Sequence, residues 1–203
     1  MLIYPLFPEP VYFSKLERAL TKKELKTINK YKKETHRNEG NTSSNDTYVL
    51  ENKTLKNLKK DLNKKVIDYF DKVVCANNSI IPYITQSWIN YTETNQFLHR
   101  HFHPNSYVSG VFYVDAKKKV DQIRFYKAGQ KTFDLSVARY NDFNSASWWY
   151  SVQTGDVVLF PSSLHHGVDV KKGINTRISL SFNVFFKGKI GTAERLLTEL
   201  ILE

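Results

Sequence analysis

From about Ile81 the sequence is a succession of short segments in which apolar and polar residues alternate, separated by Gly, Pro, Asn and Asp. The segments are ITQSWINY, NQFLHRHFH, YVSGVFYVD, QIRFYKA, SASWWYSV, GDVVLFP and TRISLSFNVFF. A period of two is the pattern of a half-buried β-strand. So many short strands in succession predict an antiparallel sandwich or barrel. We expect a mainly β protein with N-terminal helices, built on a double-stranded β-helix, the jelly roll of cupin-like proteins.

Residues 1–76 are predicted to form one strand followed by two helices. The segment YPLFPEPVYFSKL combines prolines with alternating apolar residues, which predicts an edge strand. Thr21 and Glu24 have the spacing of a capping box, and the helix that they begin is expected to extend to about Glu34. A second helix is predicted from about Thr54. Its apolar stripe has i, i+3, i+4 spacing and is formed by Leu55, Leu58, Leu62, Val66, Phe70 and Val73.

The organisation of the chain predicts a single domain over residues 1–203. Residues 1–76 are expected to supply the N-terminal strand and supporting helices, and residues 77–203 the jelly-roll catalytic core. Between the two helices, His36 to Asp46 (HRNEGNTSSND) is polar and predicts a loop in which His36 faces solvent. The polar stretch from Lys117 to Ser147 is predicted to provide a lid that selects the substrate.

The charge of the chain favours an anionic substrate or partner. The sequence has 30 Lys and Arg against 20 Asp and Glu, a net charge of +10 and a pI near 9.5. In the first third of the chain the lysines are interspersed with acidic residues and asparagines, which is typical of solvated helix faces. Nucleic acid is therefore the less favoured partner.

The protein is expected in the cytoplasm. A single cysteine, Cys75, excludes an internal disulfide framework and favours a reducing compartment, and its flanks VVCAN predict a buried thiol. No apolar run reaches the ~18 residues of a membrane helix. Of Trp148 and Trp149, one is expected in the core and one outside, and an exposed tryptophan or strand edge would support a homodimer.

Five of the six histidines lie in two short clusters: His99, His101 and His103 in LHRHFHPNS, and His165 and His166 in FPSSLHHGV. Since alternate residues of a strand share a face, His101 can point the same way as either His99 or His103. Adjacent residues point apart, so only one histidine of the second cluster can join them. Three imidazoles are the minimum ligand set of a catalytic metal with open positions. Spacing alone leaves both choices open.

Eleven residues beyond the second cluster, Arg177 lies in TRISLSFN, another alternating strand. A fixed cation beside a three-nitrogen metal site is a place to bind a carboxylate cosubstrate.

The segments SWIN, HRHFHPNSYVSGVFYV and GDVVLFPSSLHHGVDV, followed by TRISLSFN, resemble the iron(II)/2-oxoglutarate-dependent oxygenase superfamily. They are most similar to a group of oxygenases found in marine bacteria and their phages, and a phage-encoded protein would work in the host cytoplasm. The resemblance implies that His101, His103 and His166 are the catalytic ligands of Fe(II). His99 and His165 then line the cleft near the metal.

The resemblance covers about residues 85–184 and also implies a cosubstrate site. The superfamily holds the far carboxylate of 2-oxoglutarate with an arginine, often in R-x-S, and Arg177 and Ser179 match that pattern. Polar groups of the same cleft are expected among Asn90, Tyr91 and Tyr113. The implied reaction is hydroxylation of a C–H bond of an unidentified substrate, with release of succinate and CO2.

One feature departs from the superfamily. Its usual proximal motif is H-x-D, whereas His103 occupies the carboxylate position here, which leaves three neutral imidazoles and a more electrophilic metal. Such a set is expected to hold Fe(II) less firmly, or to admit Zn(II), unless Asp115 or Asp169 folds back to the metal. Two alternatives stay open: a three-histidine cupin-type metalloenzyme that does not use 2-oxoglutarate, and a non-catalytic jelly-roll binding module.

Overall fold

Two antiparallel β-sheets pack against each other, and helices cover the outer face of the larger sheet. The computed structural model describes residues 2–77, 79–129, 135–191 and 199–203. The helices are α1 (Lys22–Tyr31) and α2 (Lys56–Tyr69), with 3-10 turns at Val49–Glu51 and Lys53–Leu55 and a π-helical turn at Phe70–Val74. The strands are β1 (Tyr12–Lys15), β2 (Thr35–Arg37), β3 (Thr42–Ser44), β4 (Ile81–Thr92), β5 (Leu98–His101), β6 (Val108–Asp115), β7 (Gln122–Tyr126), β8 (Ser147–Ser151), β9 (Asp156–Pro161), β10 (His166–Val168), β11 (Arg177–Ile190) and β12 (Leu200–Leu202).

The larger sheet has the strand order β1-β9-β6-β11-β4-β3-β2, with β12 paired to β11, and the smaller sheet has the order β5-β10-β7-β8. Neighbouring strands are antiparallel in both sheets. Strand β1 is an edge strand, as the prolines just before it in the predicted segment indicate. This architecture confirms the mainly β jelly roll with N-terminal helices.

One hydrophobic core lies between the helices and the larger sheet. The predicted apolar stripe, except the half-buried Val73, is buried there against alternate residues of β4 and β11, which include Ile89, Leu180 and Phe182. Burying one such side chain contributes roughly 1.5–3 kcal/mol. Tyr91, which was expected in the cleft, faces this core instead, and its hydroxyl donates to the carbonyl oxygen of Ile28 at 2.8 Å.

The capping box at the start of α1 is confirmed. The Glu24 amide donates to Thr21 Oγ1 at 3.2 Å, and the Thr21 amide donates to a Glu24 carboxylate oxygen at 2.8 Å. The helix ends at Tyr31, earlier than the predicted Glu34, because Thr35 already begins strand β2.

The other face of the larger sheet meets the smaller sheet. A second core of Val111, Ile123, Phe125, Val158 and Phe160 lies between them. Since alternate residues of a strand point to opposite faces, the polar residues of β4, β6 and β11 that are not in the helix-side core point to the same space between the sheets.

Gly110 sets the packing of β6 on β11, where it pairs with Phe182. A Cβ atom at Gly110 would lie 2.2 Å from the Phe182 ring. Only glycine lets the ring lie across this strand, which explains the glycine in YVSGVFYVD.

The polar segment His36 to Asp46 is not the loop that its composition predicts, because it contains most of β2, all of β3 and the turn between them. Strand β3 pairs with β4, and Gly40 makes the turn with a φ of 91°. Backbone hydrogen bonding needs no apolar residues, so the polar composition concealed these strands. His36 is exposed, as predicted.

Three smaller expectations have different outcomes. Cys75 is exposed, so the predicted buried thiol is wrong: the residue follows the π-helical turn in a left-handed conformation with a φ of 51°. Trp148 and Trp149 are both exposed on β8, an edge strand of the smaller sheet, so the expectation of one core tryptophan is wrong. The lid predicted within Lys117–Ser147 stays a prediction, since residues 130–134 lie outside the described part of the chain.

None of the described helices has the length and apolarity that crossing a membrane requires.

Candidate active site

Three histidine side chains converge in the space between the sheets. His101 ends β5, His103 follows two residues later, and His166 begins β10, where it pairs with His101. Side-chain nitrogens of the three lie within 4.8 Å of one another. The ring centroid of His166 lies 4.3 Å from that of His101 and 5.0 Å from that of His103. Among the described residues, this is the one group of three or more His, Cys, Asp or Glu side chains with the spacing of a metal site.

The Nδ1 atom of each ring makes a hydrogen bond. In His101 and His166 it lies 2.8 and 3.0 Å from the carbonyl oxygen of the residue two positions earlier. In His103 it lies 2.7 Å from Oδ1 of Asn183. Carbonyl oxygens only accept, so the ring proton lies on Nδ1 and Nε2 keeps its lone pair. Metal-binding histidines are held in this way.

Burial keeps the three rings neutral. It lowers the pKa of His103 to about 4, and it lowers the pKa of His101 and, further, that of His166. The neighbouring histidines lower all three in addition, because a second cation in the cluster would be repelled. At neutral pH the cluster therefore offers three uncharged nitrogen donors.

The other two clustered histidines lie outside this group. His99 has its ring centroid 4.9 Å from that of His101, and its Nδ1 is 3.7 Å from a carboxylate oxygen of Glu39. The ring of His165 contacts Phe102 at 5.0 Å. His99 lines the same cavity as the three histidines. The group whose side-chain nitrogens converge is therefore His101, His103 and His166, although the His99 ring is as close to His101 as the His103 ring is, at 4.9 and 5.1 Å; the choice of ligands stays a prediction.

Neither candidate aspartate reaches the histidines. Both carboxylate oxygens of Asp169 are held by Arg124, at 2.6 to 3.0 Å, and one also accepts from Gln122. Asp115 is exposed at the end of β6. The cluster consists of imidazoles alone within the described ranges.

Arg177 is buried at the start of β11, with 2% of its surface exposed. Its Nη2 donates to Thr92 Oγ1 at 3.0 Å and its Nη1 to the carbonyl oxygen of Gln122 at 3.4 Å. No acceptor in the described part of the chain lies within hydrogen-bond distance of its Nε. Burial lowers the pKa of this guanidinium, although arginine stays protonated in proteins. A buried cation with an unpartnered N–H is suited to a carboxylate.

Ser179, Asn90 and Tyr113 lie beside each other on β11, β4 and β6, because Ser179 pairs with both of the others. The Asn90 amide nitrogen donates to Ser181 Oγ at 3.0 Å, and its Oδ1 accepts from Ser43 at 2.7 Å. Burial raises the pKa of Tyr113, so its phenol stays protonated. All three line the cavity that also contains Arg177.

That cavity has a volume of about 400 Å³ and is lined by the three converging histidines as well as by the Arg177 group. This volume is in the range of small-molecule sites, roughly 300–1,000 Å³. The structure thus brings the three predicted ligands and four predicted cosubstrate residues to one cavity, and leaves Tyr91 and His165 outside its lining: the four are Arg177, Ser179, Asn90 and Tyr113.

Sequence reasoning missed other polar residues of this region. Asn183 and Ser109 contact His103, Thr92 contacts Arg177, and Trp88 lies 5.5 Å from His103 between ring centroids. A signal was present for Asn183, which follows Arg177 and Ser179 at even spacing on β11 and therefore shares their face.

Fold and site together define a double-stranded β-helix protein with a cavity whose histidines suit a metal ion. A family model described as "Putative 2OG-Fe(II) oxygenase" matches residues 86–183. No sequence relative is found among curated proteins.

Several solved structures share the fold at low sequence identity. One is an oxidoreductase of the 2OG-Fe(II) oxygenase family from Burkholderia pseudomallei (14% identity, TM-score 0.59, 86% of this chain and 83% of that chain). Another is HygX from Streptomyces hygroscopicus, with nickel, 2-oxoglutarate and hygromycin B bound (11%, 0.56, 96% and 93%). A third is SnoN, a non-heme alpha ketoglutarate dependent epimerase of nogalamycin biosynthesis (10%, 0.62, 87% and 76%). At these identities the likeness concerns the fold.

Residues 86–183 of the chain match the 2OG-Fe(II) oxygenase family, and the chain has the fold of a solved member of that family. This match confirms the resemblance read from the motifs and indicates an oxidoreductase that uses Fe(II) and 2-oxoglutarate. The narrower similarity to marine bacterial and phage proteins stays a prediction.

Proposed function

We propose that His101, His103 and His166 bind Fe(II) through their Nε2 atoms and that Arg177 binds the far carboxylate of 2-oxoglutarate. The observation that carries this proposal is the unpartnered, buried Nε of Arg177 in the same cavity as three neutral imidazoles. The residues fit both groups, since imidazole nitrogen is a good ligand for Fe(II) and guanidinium is a good partner for carboxylate. Fe(II) with 2-oxoglutarate and O2 supplies the oxidant that hydroxylates a C–H bond, with release of succinate and CO2.

The protein's own residues orient the cosubstrate. Arg177 would form a charge-assisted, bidentate pair with the carboxylate, and the Ser179 hydroxyl on the same strand face would donate a further hydrogen bond. Asn90 and Tyr113 would bound the same subsite with fixed polar groups, because Asn90 is held on both sides of its amide. Burial in this cavity excludes water from the pair and strengthens it.

The charges of the site restrict the substrate. Because the three histidines are neutral, the charges of the metal and Arg177 exceed the two negative charges of 2-oxoglutarate by one. Among the described residues that line the cavity, Arg177 is the one with a permanent charge. A cationic group beside the metal is therefore disfavoured, and we propose that the reacting part of the substrate is uncharged or anionic. This is in line with the net charge of +10.

The two alternatives are less well supported. A cupin-type enzyme that does not use 2-oxoglutarate gives no reason to bury a cation beside the histidines, since burying a charge without a partner is costly. A binding module gives no reason for three rings whose Nδ1 atoms are all hydrogen-bonded and whose Nε2 atoms are all available.

The test is anaerobic titration of metal-free protein with Fe(II) and then with 2-oxoglutarate, recorded by the weak visible charge-transfer band of the chelate. We expect the band in the wild type and its loss in His166→Ala and Arg177→Ala. The matched controls are His165→Ala, the adjacent histidine, and Arg124→Ala, a cation paired with Asp169. Both controls should retain the band.

Each other outcome contradicts part of the proposal. Metal binding without a band would favour the cupin-type enzyme. No metal binding in the wild type would favour the binding module. Loss of the band in His165→Ala with retention in His166→Ala would show that the wrong histidine was assigned.

A further inference from the structure

His103 stands where the superfamily's usual motif has an aspartate, and its Nδ1 meets a buried polar network. Asn183 Oδ1 is 2.7 Å from this nitrogen and Ser109 Oγ is 3.0 Å from it. Asn183 and Ser109 are directly paired between β11 and β6, so both side chains lie on the same face of the larger sheet.

The network continues through three hydroxyl groups. Ser109 Oγ is 2.9 Å from Ser162 Oγ, Ser162 donates to Ser106 Oγ at 2.8 Å, and Ser106 donates to the carbonyl oxygen of Val108 at 3.0 Å. Ser109 and Ser162 are each only 1% exposed. Because a carbonyl can only accept, the chain has one consistent direction, in which each serine donates to the next and Ser109 accepts from His103 Nδ1–H. The hydroxyl chain and Asn183 thus select the same tautomer of His103.

The backbone around this network is tightly constrained. Two residues of β4, Thr85 and Gln86, stand opposite Asn183 in a β-bulge, and Thr85 Oγ1 donates to the Asn183 carbonyl oxygen at 3.2 Å. Bulges of this kind re-aim side chains beside active sites. On the neighbouring strand, Gly110 accommodates the Phe182 ring and so fixes the register that pairs Ser109 with Asn183.

We propose that Asn183 and the Ser109–Ser162–Ser106 hydroxyl chain are positioning residues that hold His103 in the Nδ1–H tautomer and present its Nε2 to the metal. This inference rests on the proposed function of the three histidines. A hydrogen bond to the second ring nitrogen fixes both the orientation and the basicity of a histidine ligand. The acceptors here are a neutral carboxamide and a hydroxyl, where many metal sites have a carboxylate, so His103 binds as a neutral imidazole of ordinary basicity.

The affinity of the metal-free protein for Co(II) tests the proposal, because Co(II) gives a visible spectrum without oxygen chemistry. Asn183→Ala and Ser109→Ala should each weaken Co(II) binding about 10- to 100-fold. Asn183→Asp keeps the shape and supplies a carboxylate acceptor, so it should strengthen binding at least about tenfold. The matched control is Ser87→Ala: this serine is equally buried, but it accepts from the Leu50 amide at 3.0 Å and is not part of the network. It should change thermal stability and leave Co(II) affinity unchanged.

A second measurement needs no metal. Two-bond 1H–15N correlation spectra of the metal-free protein identify which nitrogen of each histidine carries the proton. We expect the Nδ1–H tautomer for His103 in the wild type and a shift toward the Nε2–H tautomer in Asn183→Ala. This spectrum also serves if a variant is too unstable for titration, because the wild-type result alone can refute the proposal.

Failure of this inference can be told from failure of the proposed function. If the wild type binds no Co(II), or His166→Ala binds it as well as the wild type, the assignment of the metal site is wrong. If the wild type binds Co(II) and His166→Ala does not, but Asn183→Ala and Ser109→Ala both bind within threefold of the wild type, the positioning role is refuted. Weakening by Asn183→Asp equal to that of Asn183→Ala, or an Nε2–H tautomer in the wild type, refutes it as well.

Discussion

Replacing Arg177 with methionine should have opposite effects on cosubstrate binding and on the stability of the cofactor-free protein. Methionine retains the length and flexibility of an unbranched side chain and removes the charge. In the described part of the chain, Arg177 is 2% exposed, has no carboxylate within ion-pair distance, and leaves its Nε without an acceptor. Arg177 is therefore expected to strengthen ligand binding and to lower the free energy of unfolding of the cofactor-free protein.

The loss of 2-oxoglutarate affinity can be estimated from the burial of the pair. Removing one partner of a buried, hydrogen-bonded charge pair costs about 2–5 kcal/mol. At about 1.4 kcal/mol for each factor of ten, the dissociation constant should rise by about 30-fold to several thousand-fold. The measurement is calorimetric titration of the Co(II)-loaded protein with 2-oxoglutarate under anaerobic conditions.

The free energy of unfolding should change in the other direction. Replacing buried charge by apolar side chains is often stabilising, and we expect a gain of about 1–2 kcal/mol in the cofactor-free protein. For a chain of this length each kcal/mol raises the melting temperature by about 2–4 °C. Saturating 2-oxoglutarate should raise the melting temperature of the loaded wild type and not that of Arg177→Met.

The control is Arg124→Met, because Arg124 is already paired with Asp169 at 2.6 Å and lies outside the cavity lining. It should bind 2-oxoglutarate like the wild type and gain no stability. If Arg177→Met binds 2-oxoglutarate with unchanged affinity, whether or not its stability is lower, Arg177 is a structural residue.

Two further predictions concern stability. Since the folded pKa of His103 is about 4 and those of His101 and His166 are also lowered, the unfolded chain takes up protons near pH 6.5 that the folded chain does not. The free energy of unfolding of the metal-free protein should therefore decrease as pH falls from about 6.5 toward about 4. Urea denaturation at several pH values should show a smaller decrease in His103→Gln than in the wild type. An equal decrease in both proteins would contradict this prediction. Gly110→Ala should cost about 1–3 kcal/mol through overpacking against Phe182, and Phe182→Leu in the same chain should restore part of it. A Gly110→Ala variant as stable as the wild type would mean that the ring can move aside.

Much of the fold follows from local sequence. Alternation identified the long strands, and the apolar stripe identified α2, because both patterns report which residues face a core. The hairpin of β2 and β3 was missed because its polar strands are held by backbone hydrogen bonds to β4 and carry no apolar signal. Cys75 was misjudged because its exposure depends on how the chain leaves the π-helical turn.

The sequence by itself determined the chemistry that the site has available: two histidine clusters, an arginine in R-x-S, and strands whose alternation puts His101 on one face with a second histidine. Tertiary structure alone decided which histidines meet, because His101 and His166 are brought together by the pairing of β5 with β10. It also decided that His103 is held by Asn183, 80 residues away. Alternation fixes the face of a side chain within its own strand, whereas distances between strands depend on sheet register. Here that register is set by a bulge in β4 and by the close approach of Phe182 to Gly110.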